Sequence, residues 1–363
     1  MPNHLGRNQN SQLMPKSLLL LLAGLLLSAN SFAQLGGQHT FSFLNLSPSA
    51  RVSALGGNLI TVIDDDVNLA YANPALLNPA MHHQLAFNHN FHLGRIQNGY
   101  AAFGNHLPSI NTTFHLGMQY VNYGGELEAR NELGELEGNF KAAEYALALG
   151  AARRIDERIA IGANVKMITS QLDVFSSIGL STDIAAIYAD TANRLTATVV
   201  FRNMGTQITP YRDGNFEPLP FEIQVGISKR LKYLPFRFSI IYHNLQRWNI
   251  IYDDPNRERN PLFIGQDNDQ SRLELIMDNL VRHFIFNGEL LFGAKENFRL
   301  RVGYNHFLRK EMSVESFGSL AGFSFGAGVK VNRFRLDYGR AIYHIAGGLN
   351  HLSIQTNLSE FRK

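Results

Sequence analysis

The chain has 363 residues, 45% of them hydrophobic, a formal net charge of +3 and a mean hydropathy of -0.12. That hydropathy excludes a bundle of membrane-spanning helices but not a β-barrel, whose strands alternate apolar and polar residues and so average out. The absence of cysteine rules out disulfides, and without a clustered basic face no nucleic acid partner is expected.

Residues 1–33 read as a secretory signal. Arg7 and Lys16 precede the ten-residue apolar block Leu18–Leu27, and Ser31-Phe32-Ala33 supplies the small residues of a cleavage site. The block is too short to span a bilayer. Initiation at Met14 would leave a compact basic region ahead of it. Removing the segment takes away Arg7 and Lys16, which lowers the formal charge from +3 to +1.

Residues 34–83 come next and are expected to form an N-terminal plug or latch. Their centre is Ser49 to Leu77, SARVSALGGNLITVIDDDVNLAYANPALL. Gly56, Gly57 and Pro74 break it too often for a domain, and Pro74 lacks the donor a central strand requires. Asp64-Asp65-Asp66 could hold a cation, but consecutive carboxylates diverge, and calcium wants six or more converging oxygens. Capping and polar pairing within a lumen is the favoured reading. The histidines form no His-x-x-x-His or His-Glu-x-x-His pattern, so no metal site or cofactor is expected.

Residues 84–363 repeat a segment of about ten residues with period-two alternation, ended by turn residues. In Arg158 to Met167, Ile159, Ile161, Ala163, Val165 and Met167 share one face, against Ala160, Gly162, Asn164 and Lys166. In Pro220 to Ser228, Phe221, Ile223, Val225 and Ile227 oppose Glu222, Gln224, Gly226 and Ser228. In Asn297 to Asn305, Phe298, Leu300, Val302 and Tyr304 oppose Arg299, Arg301, Gly303 and Asn305. About fourteen such segments are counted, near 84–92, 97–105, 112–122, 140–152, 158–171, 178–189, 194–203, 220–230, 235–245, 283–292, 297–308, 319–330, 333–343 and 350–358. Short connections (Ile155-Asp156-Glu157, Leu231 to Leu234, Val331-Asn332) interleave with long ones at 123–139, 204–219, 246–282 and 309–318. The turns at His92 to Ile96 and Phe175 to Ser177 are short exceptions on the long side. These features predict an all-β fold: a fourteen-stranded antiparallel transmembrane β-barrel with tight periplasmic turns and larger outer loops. Its first partner is outer-membrane lipid.

Two long loops stand out. The glutamate-rich 124–138 reads as a solvated rim. The loop 246–282 holds Trp248, Ile250, Ile251, Tyr252, Leu262, Phe263 and Ile264, followed by a short helix with Leu273, Ile276 and Leu280 at helical spacing. A loop so long and apolar is expected either to fold over the barrel mouth or to dock a partner. No serine–histidine or carboxylate–histidine motif is evident, so the chain is not expected to be an enzyme.

The plug residues carry a resemblance. Ser-Ala-Arg-x-x-Ala-Leu-Gly-Gly at 49–57 (with Arg51, Gly56 and Gly57), Asp64-Asp65-Asp66, and Asn73-Pro74-Ala75-Leu76-Leu77 together resemble the PorV/PorQ family of type IX secretion. Phe41-Ser42-Phe43-Leu44-Asn45-Leu46 ahead of the motif and Asn73 to Asn78 at its end fit the PorQ branch. The resemblance implies a barrel similar to the FadL fatty-acid channels. It also implies a non-catalytic outer-membrane role in a surface attachment complex, holding a PorZ-like partner beside the PorU/PorV sortase complex. The competing expectation is a FadL-type channel for uptake of a hydrophobic small molecule.

Overall fold

The computed structural model describes residues 39–361 other than 93–94, 126, 132, 252–271, 294–295, 313–318 and 345–346; the signal expected at 1–33 lies outside the described residues. Fourteen strands close into one antiparallel barrel. They are β1 (Gln84–Phe91), β2 (Gln97–Leu107), β3 (Thr112–Asn122), β6 (Ala142–Arg154), β7 (Ile159–Leu172), β8 (Phe175–Asp190), β9 (Leu195–Thr209), β10 (Glu222–Arg230), β11 (Phe236–Tyr242), β12 (Phe284–Phe292), β13 (Phe298–Asn305), β14 (Phe323–Val331), β15 (Phe334–His344) and β16 (Gly347–Asn357). The ring closes where β1 pairs with β16, Gln84 opposite Asn357 and Phe91 opposite Asn350. Closure leaves no unpaired edge for lipid to meet.

Alternation sorts the strands as the sequence predicts. Ile159, Ile161, Val165 and Met167 of β7 are exposed on the outer wall, while Asn164 and Lys166 are buried in the lumen. On β13, Phe298, Leu300 and Val302 face outward, and Arg299 and Arg301 are buried inside. An apolar exterior around a polar interior is the pattern of an outer-membrane barrel. Both ends of the barrel chain, Gln84 and Asn357, lie at the end that carries the tight turns after β2, β6, β8, β10 and β14, which is therefore periplasmic; the two-residue turn between β7 and β8 lies at the opposite, outer end.

The structure departs from expectation at three places. The 123–139 loop contains its own hairpin, β4 (Leu127–Arg130) with β5 (Leu136–Phe140), outside the barrel. Strand β9 continues to Thr209 because a bulge opposite Thr182/Ile184 absorbs the register change, with Asn203 at φ 55°. The expected strand 297–308 stops at Asn305, whose side chain caps a helical turn, α3 (His306–Glu311), by accepting from the Leu308 amide. Helix α2 (Arg272–Arg282) stands at the outer mouth, and a four-residue turn, α1 (Ala50–Ser53), lies within the lumen.

Residues 40–83 thread the lumen from one end to the other. Phe41, Phe43 and Leu44 pack against Val121, Ala146, Ile168 and Leu219 at the outer end, where the Thr40 amide donates to the Pro218 carbonyl. Further along, the Ala50 amide donates to Ser353 Oγ and the Gly56 amide to Ser324 Oγ, both 2.8 Å. Leu55, Leu59, Ile60, Leu69 and Leu76 form an apolar core with wall residues Ala185, Ile187, Val200, Ile241 and Ile285. Burial of this kind contributes about 1.5–3 kcal/mol per large aliphatic side chain. At the periplasmic end, the His82 carbonyl accepts from Asn357 Nδ2.

Candidate functional site

The plug is held by charge as well as by packing. Arg51, on α1 and 1% exposed, reaches three carboxylates: Asp64 at 2.7 Å, Asp66 at 3.1 Å and Glu289 of β12 at 3.0 Å. Arg237 of β11 also reaches Glu289 and Asp64, at 2.5 and 3.6 Å. Arg301 bridges Glu289 (3.1 Å) and Asp337 of β15 (2.5 Å). Arg335 takes Asp65 in a two-pronged contact, 2.8 Å to each oxygen. The aspartate triplet is thus divided: Asp64 faces Arg51 and Arg237, Asp65 faces Arg335, and Asp66 faces Arg51. Asp66 also accepts from the Asn68 amide and from Gln355. These arginines occupy the carboxylate oxygens a cation would need, and among the described residues no cluster of metal-ligating side chains remains.

Neutralising charge where it is buried is what makes such a network tolerable, because each unpaired ion there costs several kcal/mol. Burial by itself would raise the Asp64 carboxyl, but Arg51 and Arg237 outweigh it and hold Asp64 well below its ordinary 3.8. A depressed carboxyl stabilises the folded state above its unfolded value and loses that contribution as pH falls through the folded one. Plug seating is therefore expected to hold unchanged from neutral pH down to about 4 and to weaken only below it. Single-barrel conductance in planar bilayers, followed as the pH is lowered, measures this.

A second anchor lies across the lumen. Lys166 of β7 and Asp183 of β8 form a fully buried ion pair at 2.7 Å, and the ammonium sits 4.4 Å from the centre of the Tyr71 ring of the plug. Asn203, at the β9 bulge, accepts from Lys166 and donates its amide to Asp183.

The Asn73-Pro74 turn has a local cause. Asn73 Oδ1 accepts from the Ala75 amide, and its Nδ2 donates to the Ile60 carbonyl at 2.6 Å and to Thr198 Oγ1 at 3.0 Å. One side chain thereby caps the turn, ties two plug segments and docks on β9. Pro74 lies directly over Gly162 of β7, where an added Cβ would sit 2.5 Å from the Pro74 carbonyl carbon. Gly56 and Gly57 both hold positive φ, 72° and 86°, and turn the chain after α1.

Arg51, Asp64–Asp66, Arg299, Arg301, Glu222 and Lys166 stand out in the sequence, whereas Glu289, Arg237, Arg335, Asp337 and Asp183 do not. Each of these sits on the polar face of an alternating strand, so the signal was present. Which inward charges meet the plug depends on strand register, and that is not readable from alternation.

At the outer rim, Trp248 is 59% exposed and Ile250 only 1%. Asn279 of α2 holds this segment, its Nδ2 donating to the Trp248 carbonyl and its Oδ1 accepting from the Ile250 amide. The Trp248 ring stacks on His283. Ile250 is thus packed inward and is not a free docking residue; Ile251 is partly covered. Tyr252, Leu262, Phe263 and Ile264 lie outside the described residues. Leu273, Ile276 and Met277 of α2 are exposed. Two ion pairs tie α2 to α3, Asp278 with Lys310 and Arg282 with Glu311, and Asp278 also braces Arg282 within α2.

No family model matches the chain, and no curated protein matches it. Among solved structures it is similar to the Pseudomonas putida toluene transporter TodX (12% identity, TM-score 0.48, 85% of this chain and 96% of that one). It is also similar to a Pseudomonas aeruginosa FadL homologue (8% identity, TM-score 0.47, 85% and 98%). A porin of Rh. blastica aligns more distantly (7% identity, TM-score 0.30, 75% and 98%). The barrel itself is defined by its strand pairing.

Proposed function

We propose that this chain is a non-catalytic, stoppered outer-membrane barrel that presents its outer rim to an extracellular partner. The observation that carries this reading is the filling of the lumen along its length by residues 40–83, sealed by the Arg51 network and the Lys166–Asp183 pair. A barrel closed in this way serves as a rigid platform. The plug motif supports the finer reading, an anchor of the PorQ kind that holds a PorZ-like partner beside a PorU/PorV sortase complex for surface attachment of secreted cargo. The exposed Trp248 and α2 offer a surface for such contact.

A second reading is a channel for uptake of a hydrophobic small molecule. Its support is a chamber of about 270 Å³ between the Ser42–Ser47 segment, the Gly56–Gly57 turn and the wall, where Arg202, Glu222, Gln224 and His243 stand beside Ile285 and Tyr343. The two glycines could hinge the plug beneath it.

Affinity isolation of the tagged barrel from mildly solubilised outer membranes, with mass spectrometry, separates the two. The anchor reading expects a PorZ-like protein to be enriched, and the enrichment to fall when Trp248→Ala is combined with Leu273→Ser. A barrel that emerges alone, and that admits a hydrophobic solute into proteoliposomes, would replace the anchor with the channel.

A further inference from the structure

The outer wall carries an apolar groove of about 720 Å³ across β1, β2 and β13–β16. Ala327 of β14 and Ala101 of β2 open it at its two sides, and Leu336, Leu352, Ile354 and Phe87, on the three strands between them, form its floor. All six alternate with lumen-facing neighbours, so the groove opens to the bilayer rather than to the barrel interior.

The end of this groove nearer the outer rim is polar, which is unusual for a membrane-facing wall. His89 lies on the outer face of β1, and its Nδ1 is 2.9 Å from the Tyr120 hydroxyl of β3. The two strands are separated by β2, and the contact spans it only because Gly99 stands between. An added Cβ at that position would sit 2.6 Å from the Tyr120 ring and hydroxyl. With the Tyr120 hydroxyl donating to Nδ1, His89 Nε2 carries the proton and is left as a donor.

Arg340 completes the arrangement. It follows the groove-lining Tyr338 by two residues on the same face of β15, one step closer to the outer rim. Its Nη1 donates to Asn350 Oδ1 at 3.3 Å, and Tyr338 donates to the same oxygen at 2.8 Å. No carboxylate among the described residues pairs with it. A guanidinium on a membrane-facing wall with only a neutral amide for company calls for an anion at headgroup level.

We propose that this groove seats a phosphate-bearing lipid of the outer leaflet, with its acyl chain on the Leu336–Ile354–Phe87 floor between Ala327 and Ala101. The phosphate rests on Arg340 and the His89–Tyr120 pair engages the headgroup region. The occupant is a lipid because bilayer covers this face of a closed barrel, and it is anionic because Arg340 has no carboxylate partner among the described residues.

The molecule supplies its own control. A second apolar groove of about 410 Å³, over β6–β9 and lined by Ala163, Ile184 and Val199, has its arginine, Arg153, at the periplasmic end of β6 and no His–Tyr pair toward the outer rim. The folded barrel would be exchanged into mixed micelles containing phosphatidylglycerol and neutral diacylglycerol, and retained lipid read by native mass spectrometry. The wild type is expected to retain phosphatidylglycerol over diacylglycerol. Arg340→Gln should lower that preference roughly tenfold, the effect of losing one charge-assisted contact. Ala101→Phe with Ala327→Phe should abolish retention, and Ala163→Phe should leave it unchanged. Heat-modifiable gel migration certifies each barrel as folded, and Arg340→Gln tests the site even if the doubly filled variant does not fold. Equal retention of the two lipids by the wild type, or retention indifferent to both Arg340→Gln and the filled groove, would overturn the assignment.

Discussion

Replacing Arg51 with leucine is expected to unseat the plug while leaving the barrel closed. The substitution removes the one cation that joins Asp64, Asp66 and Glu289. Glu289 retains Arg237 and Arg301, and Asp64 retains Arg237, but Asp66 loses its one ion pair among the described residues. Breaking a buried ion pair from one side costs about 3–5 kcal/mol, because the other charge is left uncompensated. The cost falls on the plug–wall contact rather than on the strand ladder, so Arg51→Leu should still migrate as a folded barrel on unheated gels. In planar bilayers it should conduct where the wild type is silent, and protease should cut within 40–83. Arg51→Lys should be intermediate, since an ammonium keeps the charge but not the guanidinium fork that spans three carboxylates. A silent, protease-resistant Arg51→Leu barrel would show that apolar packing alone holds the stopper.

The second large effect is expected from Gly339→Val on β15. The plug runs over the glycines of β13–β15 at backbone contact: a Cβ at Gly339 would overlap the Ala50 carbonyl, and one at Gly303 the Gly56 amide. Main chain cannot move aside as a flexible side-chain end can. Overpacking of this kind costs about 1–3 kcal/mol, and the shift would also break the Ala50–Ser353 hydrogen bond. Gly339→Val should therefore open the lumen at the α1 turn, again without loss of the barrel. Gly288→Ala on the outer wall is the control: its Cβ would meet the side chains of Phe236 at 3.1 Å and Val302 at 3.3 Å and no plug atom nearer than these, and it should leave conductance at the wild-type level. A gain of conductance in Gly288→Ala as large as in Gly339→Val would remove the argument.

The barrel was legible in the sequence because its two signals are local. Period-two alternation needs only neighbouring residues, and the short and long connections could be counted directly. Ile159 to Met167 declares its lipid face without reference to any other strand. The plug was legible as an interruption, through Gly56, Gly57 and Pro74. What the plug touches was not legible, since pairing Asp65 with Arg335 spans 270 residues and depends on the register of the intervening strands. The same holds for the apolar patch on the lumen wall. Ile187, Val200, Ile241 and Ile285 read as irregularities in alternation until the plug is seen against them. The end of the 297–308 segment was missed for a local reason, the cap that Asn305 offers to a helical turn.

The direction in which the plug runs constrains how the molecule can be made. Residue 40 lies at the outer mouth, whereas Gln84 opens β1 at the opposite end, beside the seam that β1 forms with β16. The segment between them fills the lumen through contacts with strands as late as β15 and β16. Those contacts are complete only once the last strands have joined the first, so seating the stopper and closing the seam draw on the same strands, and the thread ties together the two ends of the wall it fills.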